Sequence, residues 1–488
     1  MLILTLIAAL SALVWGGVLF CRGGLLAGCL AVLLAGTCFG AAFFSLPAGP
    51  MPLTCDRLLW AVLLAQYVVW RRLGWAEPKP LGKAEYLLGA LAVWLCVSTF
   101  SHDWRVRGSQ PAAWLMFFYV MPMGLYWVAR QSRLSERSLK AMFAGLAVFG
   151  LYLAVTALAE TRQAWWLVFP KYIASSSEMN FFGRGRGPLM NPVANGLVMT
   201  VCLAGLLLCW PRLGRWGQLA ILPVMSIFAL GIYATLTRCV WLGALAALLI
   251  VVGLSMPRVW RVPLFVGSLL IVTAVGLTQW ERMLAFKRDQ GLSEADAAES
   301  VRLRPILAVV AWNMFCDRPV AGCGYAHYRD EFVNYLADRS FDLPLEKSRR
   351  YLQHNTFLSL LTETGLIGAG LFTALVVIWG RGAWRLWHSP EAPPAARQQG
   401  LLFLAFLGGY LPNAMFHDLA IIPMMNMLLF FLAGVTESLR PRACGDPPPR
   451  RHRGAGFQPA IEVRMAPLET CPTPRTPTSI LDFRRVVE

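Results

Sequence analysis

Charged residues are scarce in this sequence. Only 15% of its 488 residues are Asp, Glu, Lys or Arg, whereas 57% are hydrophobic and the mean hydropathy is +0.54. A soluble globular domain carries roughly 25% charged residues, so this composition excludes an ordinary soluble protein. The sequence therefore predicts a membrane protein.

Acidic residues and metal-ligand patterns are scarce as well. The chain has 27 acidic against 44 basic residues, its six histidines are isolated and its twelve cysteines form no CxxC pair. No metal site or cofactor is expected, and most cysteines are interpreted as small apolar fillers. Cys316 and Cys323 share one loop and would form a disulfide only in an oxidising compartment, so their pairing stays open.

Uncharged apolar runs long enough to cross a bilayer occur throughout the first 438 residues. Because lipid offers no partner to backbone polar groups, such runs predict helices. The fold expected is an all-α membrane bundle of about 12–13 transmembrane helices. The thirteen predicted spans are 2–20, 24–44, 57–70, 85–101, 111–129, 141–159, 192–210, 217–235, 239–256, 262–279, 355–379, 399–415 and 419–437.

The connections between the spans differ in charge from one side to the other. One set, together with the C-terminal tail, holds 25 of the 44 basic residues against 10 acidic ones. Basic residues concentrate on the cytoplasmic side of membrane proteins, so this set is predicted to be cytoplasmic. Most of the net charge of +17 is then an orientation signal, and no nucleic-acid partner is expected.

Two long segments lie outside the spans. Residues 281–354 form a predicted outer loop with 11 basic and 11 acidic residues, and Leu303, Ile306, Leu307, Val310 and Met314 predict a helix against the membrane or the bundle. Residues 439–488 contain nine prolines and predict a disordered, Pro/Arg-rich cytoplasmic tail. The transmembrane domain is therefore expected to cover residues 1–438.

Arginines close to outer span ends are candidate ligands for an anion, because charge near a membrane core is costly and usually functional. Arg238 lies between two apolar runs, where it either binds an anion or extends toward the headgroups. Arg184 and Arg186 form a basic turn before Asn191 and Pro192, which mark a helix start. This turn either binds phosphate oxygens or is an ordinary loop.

Two further candidates lie in and after the long loop. Arg304 precedes the apolar face of the predicted loop helix, and the chain turns at Gly322 and Gly324. His354 stands where the chain returns to the membrane, so it either caps the helix or acts as a general base near neutral pH.

These elements, in this order over residues 184–372, resemble the O-antigen ligase and O-antigen polymerase superfamily of bacterial inner-membrane glycosyltransferases. The matching residues are Arg184, Gly187, Asn191 and Pro192; Arg238 with Trp241, Leu242 and Gly243; Arg304, Pro319, Gly322 and Gly324; and His354, Asn355, Gly365 and Gly368. Two departures stand out: Cys239 replaces a usual small residue, and Arg186 competes with Arg184 for the first position. The motif-bearing region spans 181–372.

The resemblance implies a metal-independent, inverting transfer of a glycan from an undecaprenyl-diphosphate carrier on the periplasmic face. Arg238 and Arg304, assisted by Arg184 or Arg186, are expected to bind the diphosphate, and His354 to act as the general base. The acceptor implied is a lipid such as lipid A-core or a saccharide. The site would then belong to lipopolysaccharide or polysaccharide biosynthesis in the cell inner membrane.

Three transfer reactions remain open: ligation to lipid A-core, polymerisation of repeat units, and transfer to protein, with the ligase preferred. Two other classes fit less well. A metal-dependent glycosyltransferase would carry paired acids in an early outer loop, where only Asp56 and Asp103 stand alone. A polysaccharide flippase or transporter would show repeat symmetry and charges along a central path, and the sequence contains no internal repeat.

Overall fold

The structure is a computed structural model. It describes residues 17, 23–46, 52–76, 78–102, 110–175, 181–279, 294–337, 343–350 and 353–440, with the side chains of 294–302 and 350 left out of that description. Nearly all of the first predicted span, Asp103 and the tail beyond residue 440 lie outside the described residues.

The described residues form helices joined by short connections, and they contain no strand. Each of the other twelve predicted spans overlaps a helix, and nine of the described helices are long and apolar enough to cross a membrane. The helices are α1 Gly23–Cys38, α2 Cys55–Arg72, α3 Lys83–Phe100, α4 Pro111–Gln131, α5 Glu136–Thr161, α6 Pro192–Cys209, α7 Arg215–Ala234, α8 Arg238–Ser255, α9 Arg258–Thr278, α10 Glu294–Asp317, α11 Thr356–His388, α12 Pro394–Phe416 and α13 Pro423–Ser438. The prediction of an all-α polytopic bundle is confirmed.

Helix α6 lies at the centre of the bundle, and nearly all of its side chains are buried. It packs against α5, α8 and α12, and small residues bring the neighbouring backbones close, as is usual between membrane helices. Gly243 of α8, for example, faces Gly409 and Asn413 of α12. By contrast, the main helix contact of α9 is with α8, and none of the residues of α9 is buried. Its apolar surface is therefore suited to contact with lipid.

The bundle has two ends with different chemistry. At one end, called here the basic end, α6, α8 and α11 finish and α9 and α12 begin. At the opposite end, called here the His354 end, α6, α8 and α11 begin and α12 finishes. The two ends are about 30 Å apart if each helix rises 1.5 Å per residue.

Near the basic end a buried ion pair joins α3 to α4, and a lysine in the connection before α3 contacts α13. Arg130 of α4 contacts Glu85 of α3 with a nitrogen–oxygen distance of 2.7 Å, and the Tyr126 hydroxyl donates to the same carboxylate. Lys79 donates to Ser438 at the end of α13, at 3.0 Å from its carbonyl oxygen. Because each charge has close polar partners, these groups tolerate burial.

The predicted loop helix is present as α10, and it packs against α11 of the bundle. Its apolar side chains build a small separate core with residues that follow in the loop, including Cys323, Tyr328 and Phe332. Thr362 of α11 donates to the carbonyl of Ala311 at 3.1 Å. Cys316 is exposed, Cys323 is buried, and the two are not bonded to each other.

Candidate functional site

Asn191 and Pro192 begin α6, which confirms the helix start expected there. The Asn191 side-chain oxygen accepts from the backbone amides of Val193 and Ala194, and Pro192 occupies the first helical position, where no amide is required. The amide nitrogen of the same side chain lies 3.2 Å from Nε2 of His417. One asparagine therefore both caps a central helix and contacts a histidine from another helix end.

Asn355 caps α11 in the same way, accepting from the amides of Phe357 and Leu358. Its side-chain nitrogen donates to the carbonyl of Met415 at 3.0 Å. The next residue, Thr356, donates to the carbonyl of His417 at 3.1 Å and accepts from the amide of Leu419. The start of α11 is thereby fixed to the chain that leaves α12.

His354 and His417 stack at the junction formed by these bonds. Their ring centroids are 5.8 Å apart and their planes differ by 12°. Arg304, which comes from α10, lies over the ring of Phe416 at 5.7 Å. Three elements that are far apart in the sequence thus bring two imidazoles and one guanidinium to the same end of the bundle.

Burial lowers the pKa of His354, and the nearby charge of Arg304 lowers it further. Burial, aided by His354 and Arg304, lowers the pKa of His417 to about 3. Both imidazoles are therefore neutral near pH 7, with a ring nitrogen able to accept a proton. Burial raises the pKa of the adjacent Asp418 to about 6 despite hydrogen bonds from Ser359, Ala420 and Thr356 that lower it.

Arg238 is the first residue of α8 and is half-buried. Five residues further on, Gly243 faces Asn413, which stands four residues before His417. At 1.5 Å per residue, Arg238 and His417 lie roughly 6–8 Å beyond this contact, in the same direction. Arg238 therefore lies at the His354 end, at about the depth of the two histidines.

Arg184 and Arg186 lie in a buried loop that leads to α6. Arg186 is only 1% exposed, and its guanidinium donates to the carbonyl of Ile173 at 2.8 Å. The backbone amides of Arg186 and Gly187 both donate to Glu160 at the end of α5. Arg184 is 6% exposed and lies over the ring of Phe181 at 5.2 Å.

The glycines of the resemblance form the joint between the long loop and the bundle. Helix α11 is broken at Gly365, whose φ of 63° and ψ of −168° suit glycine alone. The turn at Gly322 and Gly324, with φ of 75° and 102°, docks into this break. Amides of Cys323 and Gly324 donate to carbonyls of α11, and the amide of Leu366 donates to Pro319.

Gly368 completes this joint on the other face of α11. It stands three residues beyond the break, where the Trp94 ring of α3 approaches closely. The indole of Trp94 donates to the carbonyl of Thr364 at 3.0 Å, so it satisfies a backbone group that the break exposes. The glycine motifs thus position the loop that carries Arg304.

The structure brings together most of the residues singled out from the sequence. Arg238, Arg304, His354, Asn191, Pro192 and Asn355 lie at the His354 end. Arg186 is held inside its own loop by Ile173. Sequence reasoning missed His417, which stands in a short polar connection between two apolar runs. The signal available in the sequence was a histidine between the predicted spans 399–415 and 419–437, on the predicted outer side.

Within the described ranges, no group of three or more His, Cys, Asp or Glu side chains is arranged to hold a metal ion. The positive charges at the His354 end are supplied by arginine side chains.

Residues 223–373 match the family model described as O-antigen ligase. This stretch contains Arg238, Arg304, His354 and the glycines of the loop joint, whereas Arg184 to Pro192 precede it. No curated protein sequence matches the chain. The family match confirms the resemblance for this region, and with the apolar helices it indicates a multi-pass membrane protein with ligase- or polymerase-type glycosyltransferase activity.

Proposed function

We propose that the chain is an O-antigen ligase-like glycosyltransferase. It moves a glycan from an undecaprenyl-diphosphate carrier to an acceptor hydroxyl, on lipid A-core or a similar lipid, at the periplasmic face of the bacterial inner membrane. The observation that carries this proposal is the stacking of His354 on His417, with Arg304 nearby, at one end of the bundle.

Arg304 and Arg238 are proposed to bind the diphosphate. Breaking the bond between the sugar C1 and the diphosphate oxygen leaves a stable anion, so cations where this charge develops contribute most to the rate. Guanidinium groups suit phosphate oxygens because they donate two parallel hydrogen bonds. Both arginines are half-buried, so water screens their charges less than at an open surface.

Arg184 is proposed as the assisting residue in the loop before α6, and Arg186 as the residue that folds this loop. Arg186 already donates to Ile173, and its amide donates to Glu160. The loop then ends at Asn191, whose side chain reaches His417. A correctly folded loop therefore places Asn191 where it contacts His417.

His354 is proposed to accept the proton of the acceptor hydroxyl. As this O–H bond breaks, the oxygen attacks C1 of the sugar, and the bond from C1 to the diphosphate breaks with its electron pair leaving on the diphosphate. One such displacement inverts the configuration at C1. A general base of this kind contributes about 10²–10⁴-fold to the rate, and fixed arginine charges make a metal ion unnecessary.

His417 is proposed as a positioning residue for His354. The stacked ring restricts the orientation of the His354 imidazole, and Asn191 in turn fixes His417 by donating to Nε2. With its pKa lowered to about 3, His417 adds no positive charge beside the base. The arrangement keeps the proton-accepting nitrogen of His354 neutral.

The test is transfer by the purified full-length chain in proteoliposomes, supplied with an undecaprenyl-diphosphate glycan and lipid A-core. His354→Ala is expected to reduce turnover about 10²–10⁴-fold, while His452→Ala in the predicted tail leaves it unchanged. Activity that persists in folded His354→Ala would exclude this base. EDTA is expected to have no effect.

Product size separates the ligase from its closest alternative, a repeat-unit polymerase. A single transfer event for each acceptor supports ligation to lipid A-core. A ladder of repeats formed without lipid A-core supports polymerisation and contradicts the acceptor proposed here. Both outcomes leave the donor chemistry of the arginines and His354 intact, because the two reactions share the same donor.

A further inference from the structure

A cavity lies at the basic end, far from the histidine pair. It has a volume of about 830 Å³ and is formed where α6, α8 and α11 end and α9 and α12 begin. This volume falls within the range of about 300–1,000 Å³ found for small-molecule sites. None of the residues assigned to the transfer reaction lines it.

Four arginines line this cavity, namely Arg212, Arg258, Arg261 and Arg397. All of its lining residues are described, and none of them is Asp or Glu. The nearest acidic residue in the connecting segment from α11 to α12 is Glu391, which is exposed and does not line the cavity. Four positive charges without an acidic neighbour in the wall favour an anionic ligand.

Two of the four arginines also hold the cavity in shape. Arg261 donates through Nε to the carbonyl of Met256 and through Nη2 to that of Leu254, so it caps the end of α8. Arg397 donates to the carbonyl of Trp387 and lies over its ring at 5.4 Å. Arg212 and Arg258 have exposed side chains and are the more adaptable pair.

Most of the rest of the wall is apolar, with Ser255, His388 and Gln398 as its other polar residues. Leu207, Val251 and Trp210 contribute to it. Next to these residues stands α9, which begins at Arg258 and buries none of its side chains. Helix ends mark the level of the lipid headgroups in a membrane bundle, and tryptophan is enriched at that level. A cluster of guanidinium groups is thus adjacent to surface that acyl chains would cover.

We propose that this cavity binds the phosphate group of an anionic phospholipid. Guanidinium groups pair with phosphate oxygens in bidentate fashion, and basic pockets between transmembrane helices bind lipid headgroups. The apolar wall and the bare surface of α9 distinguish a lipid from a free phosphate, which needs neither. A bound lipid would bridge the ends of α6, α8 and α12.

Native mass spectrometry of the delipidated full-length chain tests this proposal. Phosphatidylglycerol and phosphatidylcholine are offered together, with inorganic phosphate in a separate arm. We expect one tightly held phosphatidylglycerol. The double variant Arg212→Gln/Arg258→Gln should bind it roughly 30-fold more weakly, because each basic residue at the membrane surface contributes substantially to anionic-lipid binding.

The matched control is Arg215→Gln/Arg385→Gln, which removes two exposed arginines from the same end without touching the cavity wall. Its affinity should change by less than about twofold, since neither arginine lines the cavity and water and salt screen a charge outside the binding site. Three outcomes overturn the proposal: equal binding of the two lipids, an equal loss in the control, or displacement of phosphatidylglycerol by inorganic phosphate. A melting curve of each variant establishes that it is folded.

Discussion

Arginine is used differently at the two ends of this bundle. At the basic end Arg212, Arg215, Arg258 and Arg385 are exposed, whereas at the His354 end Arg238 and Arg304 are half-buried and Arg184 and Arg186 are almost fully enclosed. The exposed set contributes four of the 25 basic residues that give the orientation signal in the sequence. The arginines of the His354 end, called here the enclosed set, include Arg304, whose charge acts on the imidazoles of His354 and His417.

This difference shows that enclosure, more than number, decides what an arginine does to its neighbours. Coulomb interactions at an exposed surface are weak and screened by salt, while those in a low-dielectric interior are several-fold stronger. Arg304 accordingly depresses the pKa of both His354 and His417. The exposed arginines of the basic end are suited to lipid phosphates, which remain at the membrane surface.

The largest effect on glycan transfer is expected when an arginine of the enclosed set is lost, and this tests the comparison between the two ends. Arg304→Gln and Arg238→Gln are each expected to lower glycan transfer by about 10²–10³-fold, as loss of one stabilising donor to a developing anion does. Turnover in proteoliposomes is the measurement. Arg385→Gln, at the basic end, is the matched control and should retain full turnover. Equal losses at both ends would remove the distinction drawn here.

The second effect concerns the joint that carries Arg304 to the histidines. Gly365→Ala places a methyl group against the carbonyl of Val320 at a left-handed backbone position. The strain is about 1–3 kcal/mol, so we expect a lower melting temperature, faster proteolysis of the 294–337 region and reduced transfer. Limited proteolysis and thermal unfolding are the measurements.

Gly370→Ala supplies the control for this change on the same helix. A methyl group at Gly370 meets nothing within 4 Å, and alanine favours the helix by roughly 1 kcal/mol over glycine. The two substitutions are chemically identical and should act in opposite directions on stability. A loss of stability in both would show that the joint has no special role.

Much of the fold could be predicted from sequence because apolar run length and helix starts are local properties. The run from 192 to 210 and the pair Asn191–Pro192 correctly locate α6. The break in α11 could not be predicted, since Gly365 lies inside the single span predicted for residues 355–379. Its cause is the turn at Gly322 and Gly324, a tertiary contact that hydropathy does not report.

The residues of the candidate site also fall into those that the sequence could predict and those that it could not. His354 and Arg304 stand out because they are polar residues close to apolar runs. His417 lies 63 residues after His354 and joins it only because α11 and α12 pack side by side. Arg184 and Arg186 look equivalent in the sequence, whereas in the structure the Arg186 guanidinium donates to Ile173 and its backbone amide donates to Glu160. Side-chain direction in a loop is set by its tertiary partners.

A smaller effect is expected from Asn191, which serves α6 and His417 with different atoms. Asn191→Ala removes the cap and should destabilise the chain by about 1 kcal/mol. Asn191→Asp keeps the acceptor for Val193 and Ala194 but loses the donor to His417. We expect near-normal stability and reduced transfer in the Asp variant. Differential scanning calorimetry together with turnover measures both effects, and full transfer by the Asp variant would reduce Asn191 to a helix cap.

The smallest effect is a displacement of the pH profile. The pKa of His354 is lowered below its ordinary value of 6.5, first by burial and then by Arg304. Its base form therefore persists below pH 6.5, and kcat/KM should fall only as the pH drops through this lowered pKa. Arg304→Gln removes a positive charge that disfavours the imidazolium, so the pKa of His354 rises. The acid limb of the residual activity should move to higher pH without reaching the ordinary value, because burial remains, while Arg304→Lys should hold it near its original position. An acid limb that stays fixed in Arg304→Gln would show that the enclosed arginine acts on the diphosphate alone, and that the two ends of the bundle differ less in their electrostatics than the structure indicates.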